Sequence, residues 1–359
     1  MMADIDANPP AYAAVLAAEA APVALAWARE VASTYYRLDG AISPLTGERD
    51  NNFLVDHAGQ KFMLKISHPA EQPEVADFQT QALRFLEANA PELPVQRVVA
   101  NVDGEYGFTV QAPDGQSRVV RLIAYLPGTP MPQTPRSAAQ RKSVAEMLGF
   151  LDTALAGFKH PAGDLALPWD LQRADDMQVL LPHVPAAHDA GLVKQAFDDF
   201  ATRAKPVLAA LRRQPIHNDF NLYNLLASPD DSSRIAGILD FGDMVCAPVV
   251  NDLAVAASYQ IDADHTPLET IAEFVAAYHA VHPLTDQEID VLFTLIRARL
   301  AMVVSISGWR AARHPDNAPY LLRNNAVSWA RLAACAQIDP DHARDTLLQT
   351  CARTERKSI

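Results

Sequence analysis

In "PIHNDFNLYNLL" the residues His217, Asp219 and Asn224 stand at the spacing His-x-Asp-x4-Asn, and Asp240 follows sixteen residues later in "ILDFGD". Acidic and amide side chains crowd here between apolar stretches that read as core strands. The chemistry that needs such a set is phosphoryl transfer from a nucleotide. One carboxylate orients the attacking hydroxyl and accepts its proton, while an amide oxygen and a second carboxylate hold Mg²⁺ against the phosphates. Between the two groups, "YNLLASPDDSSRIAGIL" reads as a tight hairpin, two apolar runs around Pro229-Asp230-Asp231.

Such groups need strands and helices to hold them. The start of the chain is Ala-rich and lacks the basic opening of a signal peptide; it reads as a disordered start followed by a helix near Ala24 to Tyr36. "NNFLVDHAGQKFMLKIS" carries two apolar runs around Asp56-His57-Ala58-Gly59, a hairpin signature. In "PEVADFQTQALRFLEANAP" the residues Val75, Phe78, Ala82, Phe85 and Leu86 fall on one helical face behind Pro73. Three short strands follow, with turns at Asp103-Gly104 and Asp114-Gly115. The Pro-rich "TPMPQTPRS" marks a boundary, and beyond Ala138 the chain turns mostly helical. Pro206 predicts a kink or break. Thr266-Pro267-x-Glu269 and Thr285 with Glu288 both read as capped helix starts, and a last helix is expected near Asn325 to Ala336.

Composition narrows the function. Of 359 residues, 49% are apolar and 20% charged, ordinary for a globular protein with ample core. The net charge of −13 argues against a nucleic-acid partner, whose footprint is a basic patch. Cys246, Cys335 and Cys351 lie in no metal-binding spacing and read as reduced thiols of a cytoplasmic protein. No apolar run reaches membrane-spanning length.

The segments "ERDNNFLV", "FMLKIS", "VVRLIAYLPG", "IHNDFNLYNLL" and "GILDFGDMVCAPVVNDLAVAASY" together resemble the aminoglycoside phosphotransferase/choline kinase family, a small-molecule branch of the protein-kinase-like fold. Within it the chain is most similar to the hydroxylysine kinase-like group and to the kinase-like domains fused to class III aminotransferases. The resemblance implies a two-lobed α+β fold. A nucleotide-binding sheet lobe with one crossing helix would span residues 1–126, and a larger helical lobe residues 127–359. It implies Asp219 as the catalytic residue, Asn224 and Asp240 as Mg²⁺ ligands, and Lys65 on the nucleotide phosphates. The loop Ser43 to Asn51 would cover those phosphates, with Asn51 among the nucleotide contacts. Ile123, Ala124, Tyr125 and Leu126 would form the hinge along which the purine of ATP or GTP lies. His217 and Asp252 read as structural supports of the loop.

Two positions depart from the family pattern. The phosphate loop has one glycine, Gly47, and Gln79 stands where the acidic partner of Lys65 is expected. Asp77, Glu74 or Gln79 itself remain as partners. The acceptor pocket falls to the helical lobe. Asp243, Arg299, Trp309 and Arg310 are its candidate residues, with Tyr259, Arg297 and Tyr320 beside them. Arg297 and Arg299 lie two apart and cannot share a helix face, so one could reach a substrate carboxylate while the other faces solvent. The expected acceptor is the hydroxyl of a small amino alcohol or hydroxy amino acid, hydroxylysine first. Homoserine, choline, ethanolamine or an aminoglycoside are the alternatives, and a nucleotide-binding pseudokinase comes last.

Overall fold

The computed structural model describes residues 21–357 apart from 46, 48, 49, 186 and 262–265. The Ala-rich start expected to be disordered therefore lies outside the described residues, as does much of the loop between Ser43 and Asn51. Helix α1 (Leu25–Tyr36) precedes strands β1 (Ala41–Leu45), β2 (Asn51–His57) and β3 (Gln60–Ile66). Helix α2 (Pro73–Asn89) then crosses to β4 (Val98–Val99), β5 (Phe108–Gln111) and β6 (Ser117–Ala124). The six strands form one antiparallel sheet in the order β1-β2-β3-β6-β4, with β5 also paired to β6. The β2–β3 hairpin turns where it was expected, with Ala58 at φ +54° and Gly59 at φ +82°. Both residues are left-handed, as a two-residue turn matching the strand twist requires.

Period-2 alternation sends Phe53 and Val55 of β2 and Phe62, Leu64 and Ile66 of β3 to one face. There they pack with Trp27 and Val31 of α1. Helix α2 buries the expected face, but against the other lobe. Phe78, Ala82 and Leu86 belong to the large helical core, and the Phe78 ring stacks on Phe158 at 5.7 Å.

At the junction, Gly128 has φ +154°, and a Cβ there would come within 2.7 Å of Leu226 Cβ. The helical part comprises β7 (Thr129–Pro130), α3 (Ala138–Leu155), α4 (Ala190–Asp199), β8 (Arg213–Ile216), β9 (Leu225–Ala227), β10 (Ile235–Ile238) and β11 (Val245–Pro248). Helices α5 (Val250–Gln260), α6 (Pro267–His279), α7 (Asp286–Arg313), α8 (Asn325–Ala336) and α9 (Pro340–Lys357) complete it. Pro206 does break its helix: a π-helical turn over Phe200–Ala204 precedes a short α-helical turn at Lys205–Leu208.

The two expected caps come out differently. Thr285 and Glu288 form a reciprocal capping box on α7. Thr266 makes no side-chain cap bond, and Pro267 at the first helical position sets that turn instead. Helix α9 was not anticipated. Its apolar stripe is short, Ala343, Leu347 and Cys351 with Leu348 half-buried beside them, although Asp339 caps it by accepting from the Asp341 and His342 N–H groups. Among the described residues no helix is long and apolar enough to cross a membrane, and the three cysteines are unbridged.

Candidate active site

A two-stranded and a three-stranded antiparallel sheet carry the polar motifs. β8 pairs with β11, and β9 pairs with β10 and β7, so the loop His217–Asn224 leaves β8 and Leu239–Met244 links β10 to β11. Asp252 on α5 anchors the first loop by accepting the His217 and Asn218 N–H groups, each at 2.8 Å. Asn218 takes φ +62°, which its short amide tolerates, and donates to Asp243 O and Trp169 O. His217 is fully buried, with Nδ1 facing the Asp219 N–H and Nε2 facing Leu239 O, so it braces one loop against the other. Both residues are the structural supports the sequence suggested.

Behind Asp252 sits a second buried carboxyl, Asp152, which accepts the Tyr278 hydroxyl at 2.6 Å. Its other oxygen is buried without a hydrogen-bond partner. Burial and the neighbouring Asp252 push Asp152 well above the usual carboxylate range. A protonated Asp152 can donate to the Asp252 carboxylate, which resolves the orphaned atom.

Asp219, Asn224, Asp240 and Lys65 converge on one cleft, lined also by Gly47, Asp50 and Asn52. Asp219 Oδ2 accepts the Asn224 amide at 2.7 Å, and Oδ1 accepts from Arg299 at 3.2 Å. Burial pushes the Asp219 carboxyl up to about 6 against the pull of Arg299. The Asp240 side chain is half exposed, at φ +56°, and accepts the Gly242 N–H. A Cβ on Gly242 would lie 2.9 Å from Asp240 Oδ1, so the glycine keeps that carboxylate in place.

Lys65 pairs with Asp50 at 3.0 Å and lies 3.8 Å from Asp240. Burial disfavours its charge, but the two carboxylates outweigh burial and raise its pKa. The partner is thus Asp50, just ahead of β2, and not Asp77, Glu74 or Gln79. Gln79 instead accepts from Arg121 at 2.8 Å and donates to Gly242 O, while Asp77 faces His160. Arg121 lies opposite Lys65 in the β3–β6 ladder, and a neutral amide there binds the arginine without competing for the lysine.

Asn51 also departs from expectation. Its amide bonds to Val23 N–H and Ala21 O, fastening the segment before α1, whereas its neighbour Asn52 lines the cleft. Successive strand residues face opposite ways, so a shift of one position exchanges their roles. In the hinge segment, Ala124 N–H donates to Arg97 O and Tyr125 N–H to Lys61 O. Ile123 is buried, Tyr125 is exposed and Leu126 is half-buried.

A second cavity opens beside the first and shares Asp219, Asn221, Asp243, Tyr320 and Arg323 with it. From α7 it is lined by Arg299, Val303, Ser307 and Arg310, one face at helical spacing. Trp309 is buried off that face, and Arg313 stacks on its ring, so it does not line the cavity. Arg297 lies on the opposite face but is buried and paired with Asp199 at 2.7 Å; the expectation that one of the two arginines meets solvent fails because α7 is buried all round. Arg299 lines the cavity, yet its guanidinium is held by Asp219, Trp169 O and the Trp169 ring. Arg310 is also buried, and burial lowers its pKa.

Asp50, Arg121, Trp169 and Arg323 escaped the sequence reading. Only Asp50, two residues ahead of Asn52, had a signal, the acidic end of "GERD".

The residues present fit a magnesium ion. Asn224 and Asp240 offer hard oxygen donors, and among the described residues no cluster of three or more His, Cys, Asp or Glu competes as a metal site. Such an ion completes its shell with phosphates and water.

The profile of the phosphotransferase enzyme family matches residues 41–284, more than half of the chain. Hydroxylysine kinase of Danio rerio is 28% identical over 334 residues, covering 89% of this chain and 94% of that protein. Hydroxylysine kinase of Mus musculus is 27% identical over 315 residues, covering 81% and 83%. Among solved structures, amicoumacin kinase in complex with AMP-PNP, Ca²⁺ and Ami superposes with a TM-score of 0.65 at 14% identity, over 88% of this chain and 94% of that one. That likeness supplies the two-lobed kinase-like fold, and the family match supplies phosphotransferase chemistry. The chain therefore belongs to the phosphotransferase enzyme family, as a small-molecule kinase.

Proposed function

We propose that this enzyme transfers the γ-phosphoryl group of ATP or GTP to the hydroxyl of an amino alcohol or hydroxy amino acid, with hydroxylysine the favoured acceptor. The observation that carries the reading is the second cavity: it adjoins the Lys65–Asp240 cleft and sets carboxylates and arginines on one wall system. A zwitterionic acceptor needs anions for its amines and cations for its carboxylate. Asp243 serves an amine beside the reacting hydroxyl, and Arg310, a buried residue of the cavity wall, serves the carboxylate. Arg299 holds Asp219 in place. The likeness to hydroxylysine kinases over most of both chains supports the same acceptor.

In this mechanism the acceptor oxygen bonds to the γ-phosphorus as the bond to the β–γ bridging oxygen breaks. The hydroxyl proton passes to Asp219, and the nucleoside diphosphate leaves with the bonding electrons. Asn224 fixes the Asp219 carboxylate by its amide N–H. Lys65, kept charged by Asp50, holds the α/β-phosphates. Asn224 and Asp240 would hold a magnesium ion, which would supply neutralising charge to the phosphate oxygens. The base lies along Ile123–Leu126, with residues to 126 as the nucleotide lobe and those from 127 as the acceptor lobe.

The test is nucleoside-diphosphate release with Mg²⁺ and ATP or GTP against 5-hydroxylysine, homoserine, ethanolamine, choline and kanamycin. Stimulation by 5-hydroxylysine, lowered about 10²–10⁴-fold by Asp219→Asn, is the expected result. Stimulation by another acceptor alone replaces hydroxylysine, and normal turnover in the variant refutes the role of Asp219.

A further inference from the structure

We infer that Arg323 is a catalytic residue of this kinase, placing its guanidinium on the phosphoryl group in flight between donor and acceptor. The inference rests on the kinase reading above and adds a residue to it. The donor cleft and the acceptor cavity meet at Asp219, Asn221, Asp243, Tyr320 and Arg323. A phosphoryl group crossing from one to the other passes this junction. Among the described residues lining these cavities, Lys65 borders the donor side, Arg299 and Arg310 border the acceptor side, and Arg323 alone of the cations borders both.

The setting of Arg323 suits that task. Its guanidinium carbon lies 4.3 Å from the Tyr223 ring centroid and 4.2 Å from that of Tyr320. Tyr223 belongs to the His217–Asn224 loop, so the stack ties the arginine to the segment that carries Asp219. Two aromatic faces orient a planar cation while leaving its N–H edge to donate. Arg299, by contrast, has its N–H groups on Asp219 and Trp169 O. The transferring group spreads negative charge over three equatorial oxygens, and a forked donor at the junction meets two of them. A cation placed there stabilises the transition state more than either ground state, which is what raises kcat.

The test separates this role from carriage of the acceptor. Arg323→Gln and Arg323→Lys are made; the side chain is exposed, outside the core, so both fold. ADP affinity is measured by calorimetry with Mg²⁺, with and without aluminium fluoride, which mimics the phosphoryl in flight and needs no acceptor. Arg323→Gln is expected to weaken the ADP–aluminium fluoride complex about 10²-fold and ADP alone by less than about threefold, with Arg323→Lys between. Turnover with the active acceptor should fall about 10²–10³-fold in kcat with little change in either KM. Equal losses for ADP with and without the fluoride overturn the inference. So does a normal kcat with a raised acceptor KM, which would place Arg323 on the substrate carboxylate. A wild-type protein that binds ADP and phosphorylates no acceptor refutes the acceptor reading, while the fluoride measurement still decides the role of Arg323.

Discussion

Asp152, Asp252 and Tyr278 show how a single protonation holds a loop. Asp252 must stay an acceptor for the His217 and Asn218 N–H groups, so its neighbour Asp152 carries the proton. The folded-state pKa of Asp152 lies above its unfolded value. Its contribution to stability is therefore full below the unfolded pKa, near 4, and is lost as pH rises towards the folded value. Asp152→Asn keeps both hydrogen bonds without a proton to lose. The variant should gain in Tm relative to the parent as pH rises from 5 to 8, followed by thermal melts across that range. A gain that stays flat across that range would mean Asp152 is ionised in the fold. Asp240→Ala should abolish Mg²⁺-dependent tightening of nucleotide binding, read by calorimetry with and without the metal. An undiminished metal effect would remove Asp240 from the ion. The convergence of Asp219, Asn224 and Asp240 was legible because their spacing is local to two loops. The partner of Lys65 was not, because Asp50 reaches it only through the β2–β3 pairing.

At the scale of elements, the two threonine-capped helices give a matched experiment. Thr285 accepts the Glu288 N–H, and Glu288 returns to the Thr285 N–H while its carboxylate also binds Arg212. Thr266 makes no such bond. Thr285→Ala should cost about 1 kcal/mol, and Thr266→Ala only a few tenths, by denaturant titration. Equal costs would show that the sequence signature, and not the bond, carries the stability. The helix α7 face of Arg299, Val303, Ser307 and Arg310 follows from periodicity alone. Which face meets the cavity does not, since α7 is apolar or buried on every side. That is why Trp309 read as a pocket residue.

Across the whole molecule, α2 belongs by sequence to the sheet lobe and by packing to the helical core. Phe78 stacks on Phe158, and Pro94 O and Gln96 hold the β10 end through Ile238 and Asp240. The proposed boundary at residues 126 and 127 therefore separates tasks and not folding units. A fragment of residues 1–126 would expose the Phe78, Ala82 and Leu86 face and should show no cooperative unfolding transition. A sharp melt of that fragment would refute the shared core. In the full chain, Phe78→Ala should cost about 3–5 kcal/mol, measured by chemical denaturation.

Spacing along the chain was enough to determine the phosphoryl-transfer chemistry and the sheet-then-helix order. Each rests on residues near one another in sequence or on a period of 2 or 3.6. Only the tertiary structure decided that Lys65 meets Asp50, that Arg299 serves Asp219 and that Arg323 stands where two cavities join. Those contacts span 15, 80 and 100 positions between Lys65 and Asp50, Asp219 and Arg299, and Tyr223 and Arg323. At such separations the partners are chosen by strand register and helix packing, which no local pattern encodes.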